Sequence, residues 1–518
     1  MLKKLTRFFT SRLFVTSLFI LLQIILLFGT VYGLSQYFMW IQSFLVILSL
    51  ILVVAVVSED SNPTFKLAWV ILMLTVPVIG WLLYFVFERR KVPKKTLRRY
   101  MSIAVASRKI LKQDKDIEEK LKSESPSTSK ICTYISNTAH THVYEHTQTH
   151  FYPRGEDFFD DYIASLKSAK SFIFIEYFII DQGKMWSRIL EVLTEKAKQG
   201  VDVRVMYDDL GTINLLKKDY TKKLRKAGIK VAVFNPFRAS VDTFMNYRDH
   251  RKITVIDGKT GFTGGLNIAD EYINQRKRYG YWKDCALRLK GDAVSSLTLM
   301  FLQLWYFANN ETKTKYEDYA KYTIKHYLDE NVEQENDGYV QPFGDGPMTG
   351  HLTGEFAYMS IINSAKKYVY ISTPYLILDN EMITCLKLAV LSGVDVRIIT
   401  PNIPDKKYVH AVTRSNYQTL IKNGVRIFEY MPGFIHSKTI VSDDTRAIVG
   451  TTNFDFRSFY LHFENGVFMH GSEAVREVKQ DYEDMLNDCV EITADWCESV
   501  SVLSQFCCSF LKLFSPLM

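Results

Sequence analysis

The seven cysteines of this 518-residue chain contain no C-x2-C pair, and their odd number leaves no complete disulfide framework. That pattern excludes a zinc finger or ribbon and a disulfide-stapled scaffold, and it reads as reduced thiols facing a cytosol. Clustered carboxylates of the kind that hold magnesium are missing. So is a stripe of basic residues interleaved with aromatics that would stack unpaired bases, and no nucleic-acid partner is expected. His140, His142, His146 and His150 stand close together, but no cysteine is near and only Glu145 could add a carboxylate. They are read as structural or surface residues, and no metal site or cofactor is expected.

Charge is also nearly absent from three stretches, Leu13 to Leu34, Met39 to Val57 and Leu67 to Phe87. Each approaches the roughly 20 apolar residues that cross a ~30 Å hydrocarbon core. The first is too long for a signal-peptide core and has no A-x-A cleavage site. A net charge of +8 suits an anionic partner, and the apolar runs select a membrane over nucleic acid. Orientation is contradictory. Arg89, Arg90, Lys91, Lys94, Lys95, Arg98 and Arg99 follow the third run and place the rest of the chain in the cytoplasm, yet Lys3, Lys4, Arg7 and Arg12 ask for the same side. Three spans cannot satisfy both clusters, so either the first run returns without crossing or the N-terminus lies outside.

After this membrane region (1–90) comes a charged, helix-prone linker (91–130) containing Ser123-Glu-Ser-Pro-Ser-Thr-Ser129. Two similar halves follow, 131–310 and 341–518, joined by a polar segment (311–340). In the first, the helix-patterned Phe158 to Lys170 ends Ser-Ala-Lys and leads to an apolar strand from Phe172, then Gly200-Val-Asp-Val-Arg204. In the second, Phe356 to Lys366 also ends Ser-Ala-Lys and leads to a strand from Tyr368, a helix over about Asn380 to Leu391, and Gly393-Val-Asp-Val-Arg397. The halves are two copies of one α/β unit. The apolar tail from Phe506 suits either a membrane or packing against the domain.

Both halves carry H-x-K-x4-D: His250, Lys252 and Asp257 in one, His436, Lys438 and Asp443 in the other. Each histidine is followed 17 residues later by an asparagine, Asn267 after Gly264-Gly265 and Asn453 after Gly450-Thr451. On a strand, residues i and i+2 share a face, so each His and Lys point together, whereas the odd offset turns Asp257 and Asp443 to the opposite face in a structural role. If the motifs face one another, one pocket holds two imidazoles, two ammoniums and two amides. That set suits a phosphodiester: lysines and asparagines bind the non-bridging oxygens, one neutral histidine attacks phosphorus, and the other protonates the leaving oxygen. Glu464 and Asp284 are the acidic candidates for orienting the imidazoles.

These motifs resemble the phospholipase D superfamily, whose members pair H-x-K-x4-D with a following G-[GST]-x-N. More narrowly, Tyr247-Arg-Asp-His-Arg-Lys252, Gly280-Tyr-Trp-Lys-Asp284, Thr373-Pro-Tyr375, Gly433-Phe-Ile-His-Ser-Lys438 and Asn453-Phe-Asp-Phe-Arg-Ser-Phe459 are similar to bacterial cardiolipin synthases, as are Pro77-Val-Ile-Gly80 and the final Ser515-Pro-Leu517. The resemblance implies two phospholipase D-like α/β/α halves with mixed sheets packed by pseudo-two-fold symmetry, behind an N-terminal transmembrane helical region. It implies phosphatidylglycerol as donor and acceptor, cardiolipin and glycerol as products, and a covalent phosphatidyl-histidine formed without a divalent metal. His250 is then the nucleophile and His436 the general acid/base, with Gly265 and Thr451 joining Asn267 and Asn453 at the substrate. Hydrolysis of phospholipids is the alternative within enzymes, and an inactive membrane scaffold the alternative outside them. Two positions depart from the family's wording: Asp249 and His462 stand where Asn is usual.

Overall fold

The computed structural model describes residues 18, 21–26, 35–60, 62–87, 92–237, 243–311, 314–323, 337–512 and 515. The chain divides into two units, Met1–Pro93 with Phe237–Met245, and Lys94–Pro236 with Asn246–Met518. Most of the first apolar run, and Arg89 to Lys91, lie outside the described residues.

In the first unit, Ser35–Val57 is one helix without a charged residue. Its Met39–Val57 stretch is the one helix among the described residues long and apolar enough to cross a membrane. The third run differs from the expected single span. A helix starts at Pro63, where the Asn62 side chain accepts from the Thr64 amide at 2.9 Å, and stops at Thr75; a second helix runs Pro77–Phe87. Pro77 cannot continue a helix, because it lacks the N–H and its ring excludes helical geometry from the residue before it. Val76 is accordingly non-helical, at φ −137° and ψ 72°. The two helices fold back on each other: the Trp69 and Tyr84 rings lie 5.6 Å apart, and Trp81 Nε1 donates to Ser49 Oγ, which itself reaches the Met73 carbonyl. Tyr84 Oη donates to Glu59 at 2.9 Å, so the end of the hairpin returns to the loop from which it started.

The second unit carries two mixed sheets built on one plan. The first runs, in spatial order, Thr147–Tyr152, Ala286–Gly291, Thr260–Gly264, Lys252–Ile256, Phe172–Tyr177, Asp202–Asp208 and Lys230–Phe234. The second runs Tyr339–Asp345, His462–His470, Arg446–Gly450, Thr439–Ser442, Tyr368–Ser372, Asp395–Pro401, Arg426–Tyr430 and Cys489–Ile492. In both, the three strands from the Ser-Ala-Lys and Val-Asp-Val-Arg repeats are parallel and the motif strand pairs antiparallel beside them. Amphipathic helices supply the outer layers. Gly155–Ser168 turns Phe158, Phe159, Tyr162, Ile163 and Leu166 inward, an apolar stripe at helical spacing.

The stretch expected as a linker is helical and packed. Ser125 Oγ donates to Thr128 Oγ1 at 2.8 Å and Pro126 opens the helix Pro126–Ala139, a position that suits proline because its missing N–H has no partner there. Ile131, Cys132 and Ile135 of this helix join the core of the second half, together with Leu121. Of the connecting segment, residues 324–336 lie outside the described residues, and Tyr339 and Val340 are already strand. The helix Val502–Lys512 lies along Lys407–Lys422, tied by Lys512 Nζ to the Ser415 carbonyl, with Leu503 and Phe510 outward.

Candidate active site

Neither motif histidine sits inside a regular strand. The ladder breaks at His250–Arg251 and again at His436–Lys438, and regular pairing resumes at Lys252 and Thr439. At each break the chain pairs instead with the other half. Arg248–Asp249 runs parallel to the start of His462–His470, and the His250 amide donates to the Phe463 carbonyl at 2.9 Å. Gly433–Ile435 runs parallel to Tyr281–Lys283, and the His436 amide donates to the Lys283 carbonyl at 2.7 Å.

This exchange decides which carboxylate serves which imidazole. His250 Nδ1 lies 2.9 and 3.0 Å from the two oxygens of Glu464, which comes from the second half. His436 Nδ1 lies 2.7 Å from Asp284, which comes from the first. Both carboxylates are fully buried, while His250 and His436 are 6% and 8% exposed, so only the far imidazole edges can meet solvent or substrate. Each lysine turns back to its own motif: Lys252 Nζ donates to the His250 carbonyl at 2.6 Å, and Lys438 Nζ to that of His436.

Burial and the two ammoniums set the charge states. Burial, then Lys252 and Lys438, hold His250 well below the ordinary imidazole range. Burial and Lys438 outweigh Asp284 and lower His436 to about 4. Burial brings Lys252 to about 7 and Lys438 to about 8. Burial alone would raise Asp284, but His436 and Lys438 hold it below its usual value. Burial is the largest cause of these lowered His and Lys values, ahead of the charges around them.

The other residues singled out in the sequence separate into two groups. Asp257 and Asp443 are turned away from the pocket, each in a left-handed turn (φ 53° and 54°). Asp257 accepts from the amides of Lys170, Ser171 and Phe172, and Asp443 from those of Lys366, Lys367 and Tyr368, all at 2.7 to 3.0 Å. They fasten the first parallel strand of each half. Gly265 and Thr451 stand behind the histidines, against the orienting carboxylates: a Cβ on Gly265 would fall 2.0 Å from Asp284 Oδ1, and the Thr451 hydroxyl donates to Glu464.

The two asparagines are not equivalent. Asn267 Oδ1 accepts from the Ile179 amide at 3.0 Å and its Nδ2 donates to Tyr272 Oη at 2.8 Å. Asn453 keeps a buried amide oxygen without a protein partner. The sequence reading missed the aromatic walls: Phe178 stands edge-on to His250 at 5.1 Å, and Tyr272, Trp282 and Phe434 surround His436 at 5.5 to 5.9 Å. Trp282 and Phe434 lie within the quoted Gly280–Asp284 and Gly433–Lys438 stretches, whereas Phe178 and Tyr272 stand outside any motif. His462 joins Glu464 from the side, its Nδ1 3.5 Å from Oε1, while Arg457 Nε donates to its Nε2 at 3.3 Å. One ligand atom each from His250, His462 and Glu464 lies within 4.8 Å of the others. That is metal-like spacing, but Arg457 and the two motif lysines bring positive charge to the group, and His462 Nδ1 is buried without a hydrogen-bond partner.

Comparison with known proteins bears on this geometry. The family described as "Cardiolipin synthase, PLD-like domain" matches residues 162–284 and 358–486, one match per half, and "Phospholipase_D-nuclease N-terminal" matches 45–89. A Streptococcus mutans protein described only as uncharacterized is 38% identical over 468 residues, covering 90% of this chain and 99% of the relative. "Cardiolipin synthase 2" of Bacillus anthracis is 34% identical over 461 residues, 89% of this chain and 88% of the relative. Among solved structures, phosphatidylserine synthase of Haemophilus influenzae matches 75% of this chain and all of its own length with a TM-score of 0.56 at 15% identity, a likeness of fold. The motifs present in both halves, and this identity over nine-tenths of the chain, show that it belongs to the bacterial cardiolipin synthases, enzymes of the phospholipase D superfamily.

Proposed function

We propose that the protein transfers a phosphatidyl group from one phosphatidylglycerol to the free glycerol hydroxyl of another, making cardiolipin and glycerol. The observation that carries this reading is the crossed pairing of His250 with Glu464 and of His436 with Asp284, which commits each Nδ1 to a carboxylate and leaves each Nε2 for chemistry at phosphorus. His250 Nε2 attacks phosphorus, and the bond from phosphorus to the leaving glycerol oxygen breaks as His436 Nε2 gives that oxygen a proton. The second phosphatidylglycerol returns a proton to His436 as its hydroxyl attacks, and the phosphorus–nitrogen bond breaks. Lys252, Lys438 and the two asparagines hold the non-bridging oxygens. The anionic substrate offsets the lysine charges and so raises the proton affinity of His436 when it is needed.

Purified full-length protein given phosphatidylglycerol in excess chelator is expected to release cardiolipin and glycerol in equal amounts, read by lipid mass spectrometry and a glycerol assay. Phosphatidic acid as sole lipid product would replace transfer with hydrolysis, and a strict need for a divalent ion would overturn the mechanism.

The catalytic halves are proposed to lie on the cytoplasmic face of a multi-pass membrane region. Support comes from the folded-back helices: at 1.5 Å per residue, Pro63–Thr75 and Pro77–Phe87 are about 20 and about 17 Å long, too short to cross. As a re-entrant hairpin they start and finish on one side, so the Ser58–Asn62 loop shares a side with the basic cluster that follows Phe87. Counting the first run and Ser35–Val57 as crossings then puts both basic clusters inside, and the contradiction in the sequence disappears. Glu59 and Asp60 weigh little against this, because the orienting bias rests on Lys and Arg. In an Asp60→Cys variant, an impermeant maleimide is expected to modify the peptide containing position 60 only after cells are permeabilised. Modification in intact cells would restore the third run as a full span.

A further inference from the structure

Two loops outside the catalytic machinery repeat a surface pattern by the same pseudo-symmetry as the motifs. One follows the strand Asp202–Asp208 and carries an outward Ile213 and then the exposed pair Lys217-Lys218; its counterpart follows Asp395–Pro401 and carries an outward Ile403 and the exposed pair Lys406-Lys407. Ile213 is 44% exposed and Ile403 37%. Two exposed isoleucines alone would be ordinary. Their coupling to the histidines is not.

The first loop touches the wall of the His250 pocket. Gly211 lies so close to Phe178 that a Cβ would fall 2.1 Å from its carbonyl oxygen, and Phe178 packs against His250. The second loop touches the wall of the His436 pocket. Asp405 accepts from Tyr375 Oη at 2.6 Å, Lys406 Nζ stands 5.5 Å from the centre of the same ring, and Tyr375 meets Phe434, which meets His436. One apolar-and-basic loop therefore flanks the pocket beside each histidine, at the carboxyl ends of the parallel strands, where ligands enter sheets of this kind.

We infer that these two loops form the lip by which the pocket mouth rests on an anionic lipid surface, with Ile213 and Ile403 dipping below the headgroups and the two lysine pairs holding lipid phosphates. The inference rests on the proposed lipid substrate and goes beyond it by naming the surface that receives it. An apolar tip flanked by lysines fits the boundary between headgroups and acyl chains better than it fits a protein partner, because both components meet their preferred surroundings in one place. A lipid could then pass its headgroup to the pocket while its acyl chains stay in the bilayer.

The test uses the full chain in vesicles of phosphatidylglycerol and phosphatidylcholine that contain a lipid with a photoreactive group in its acyl chain. Irradiation is expected to attach lipid to the peptides containing Ile213 and Ile403. Label confined to the N-terminal apolar segments, with none on either loop, would overturn the inference. Labelling needs no turnover, so it is read in the same way whether the product proves to be cardiolipin or phosphatidic acid. In a second arm, the Ile213→Glu/Ile403→Glu double variant should lose about tenfold in rate on long-chain vesicles, the scale expected of two lost apolar contacts. It should keep its rate on a short-chain phosphatidylglycerol below its micelle concentration. Equal loss on both substrates would mean that the loops support the fold only.

Discussion

His250→Ala is expected to lose both transfer and the covalent lipid adduct, with turnover down by at least about 10⁴-fold, the scale seen when a nucleophile is removed and only binding and electrostatic stabilisation remain. The imidazole is well placed for the role: its Nδ1 is committed to Glu464, and burial, followed by the surrounding lysines, keeps it neutral and therefore nucleophilic. His436→Ala should behave differently. With a donor whose leaving group needs no proton, such as a phosphatidyl ester of nitrophenol, it is expected still to accumulate adduct, because only protonation of a poor leaving oxygen and activation of the acceptor hydroxyl have been lost. Radiolabelled lipid and denaturing gels read both variants. Adduct in His250→Ala and none in His436→Ala would exchange the two roles.

The second large effect concerns the carboxylates behind the imidazoles. Glu464→Gln and Asp284→Asn keep size and shape but remove the negative charge, and replace one acceptor oxygen by a donor, so that the histidine is no longer held with its proton on Nδ1. Losses of about 10²- to 10⁴-fold are expected, by analogy with neutralising the carboxylate of a serine-protease triad or a metal-site partner. The crossed geometry makes the assignment specific. Glu464→Gln should slow adduct formation, since Glu464 serves His250 although it belongs to the other half. Asp284→Asn should spare adduct formation from an activated donor and slow its transfer to the second lipid, since Asp284 serves His436. Rapid-quench measurement of the two steps separates the cases, and the reverse assignment would follow if each carboxylate affected the step of its own half.

The chemistry was legible in the sequence because it is local. A histidine and a lysine two apart, an aspartate five beyond the lysine and an asparagine 17 beyond the histidine survive as spacings whatever the fold does. Their presence in two copies made coincidence unattractive. The aspartates were expected to face away by strand parity, but each histidine lies outside the ladder and each aspartate sits in a left-handed turn, so it is their amide hydrogen bonds that hold them there. Segments that depend on long-range packing were read less well. Ser123–Ser129 has the composition of a linker, but Ser125 and Pro126 instead open a helix whose apolar face reaches the second core. Leu67 to Phe87 has the hydropathy of one span, and the break at Pro77 was visible, yet proline alone does not say whether a helix kinks or folds back. The contacts of Trp69, Ser49 and Glu59 decide that.

The sequence by itself determined the inventory of reacting groups, the two-fold repeat of the α/β unit, the family and the association with a membrane. Only the tertiary structure decided the partners: Glu464 with His250, Asp284 with His436, and the aromatic walls on either side. The physical reason lies in the breaks at the two histidines. Where each motif leaves its own ladder, its backbone groups are satisfied by a strand of the other half, and that pairing carries the carboxylate of one copy to the imidazole of the other.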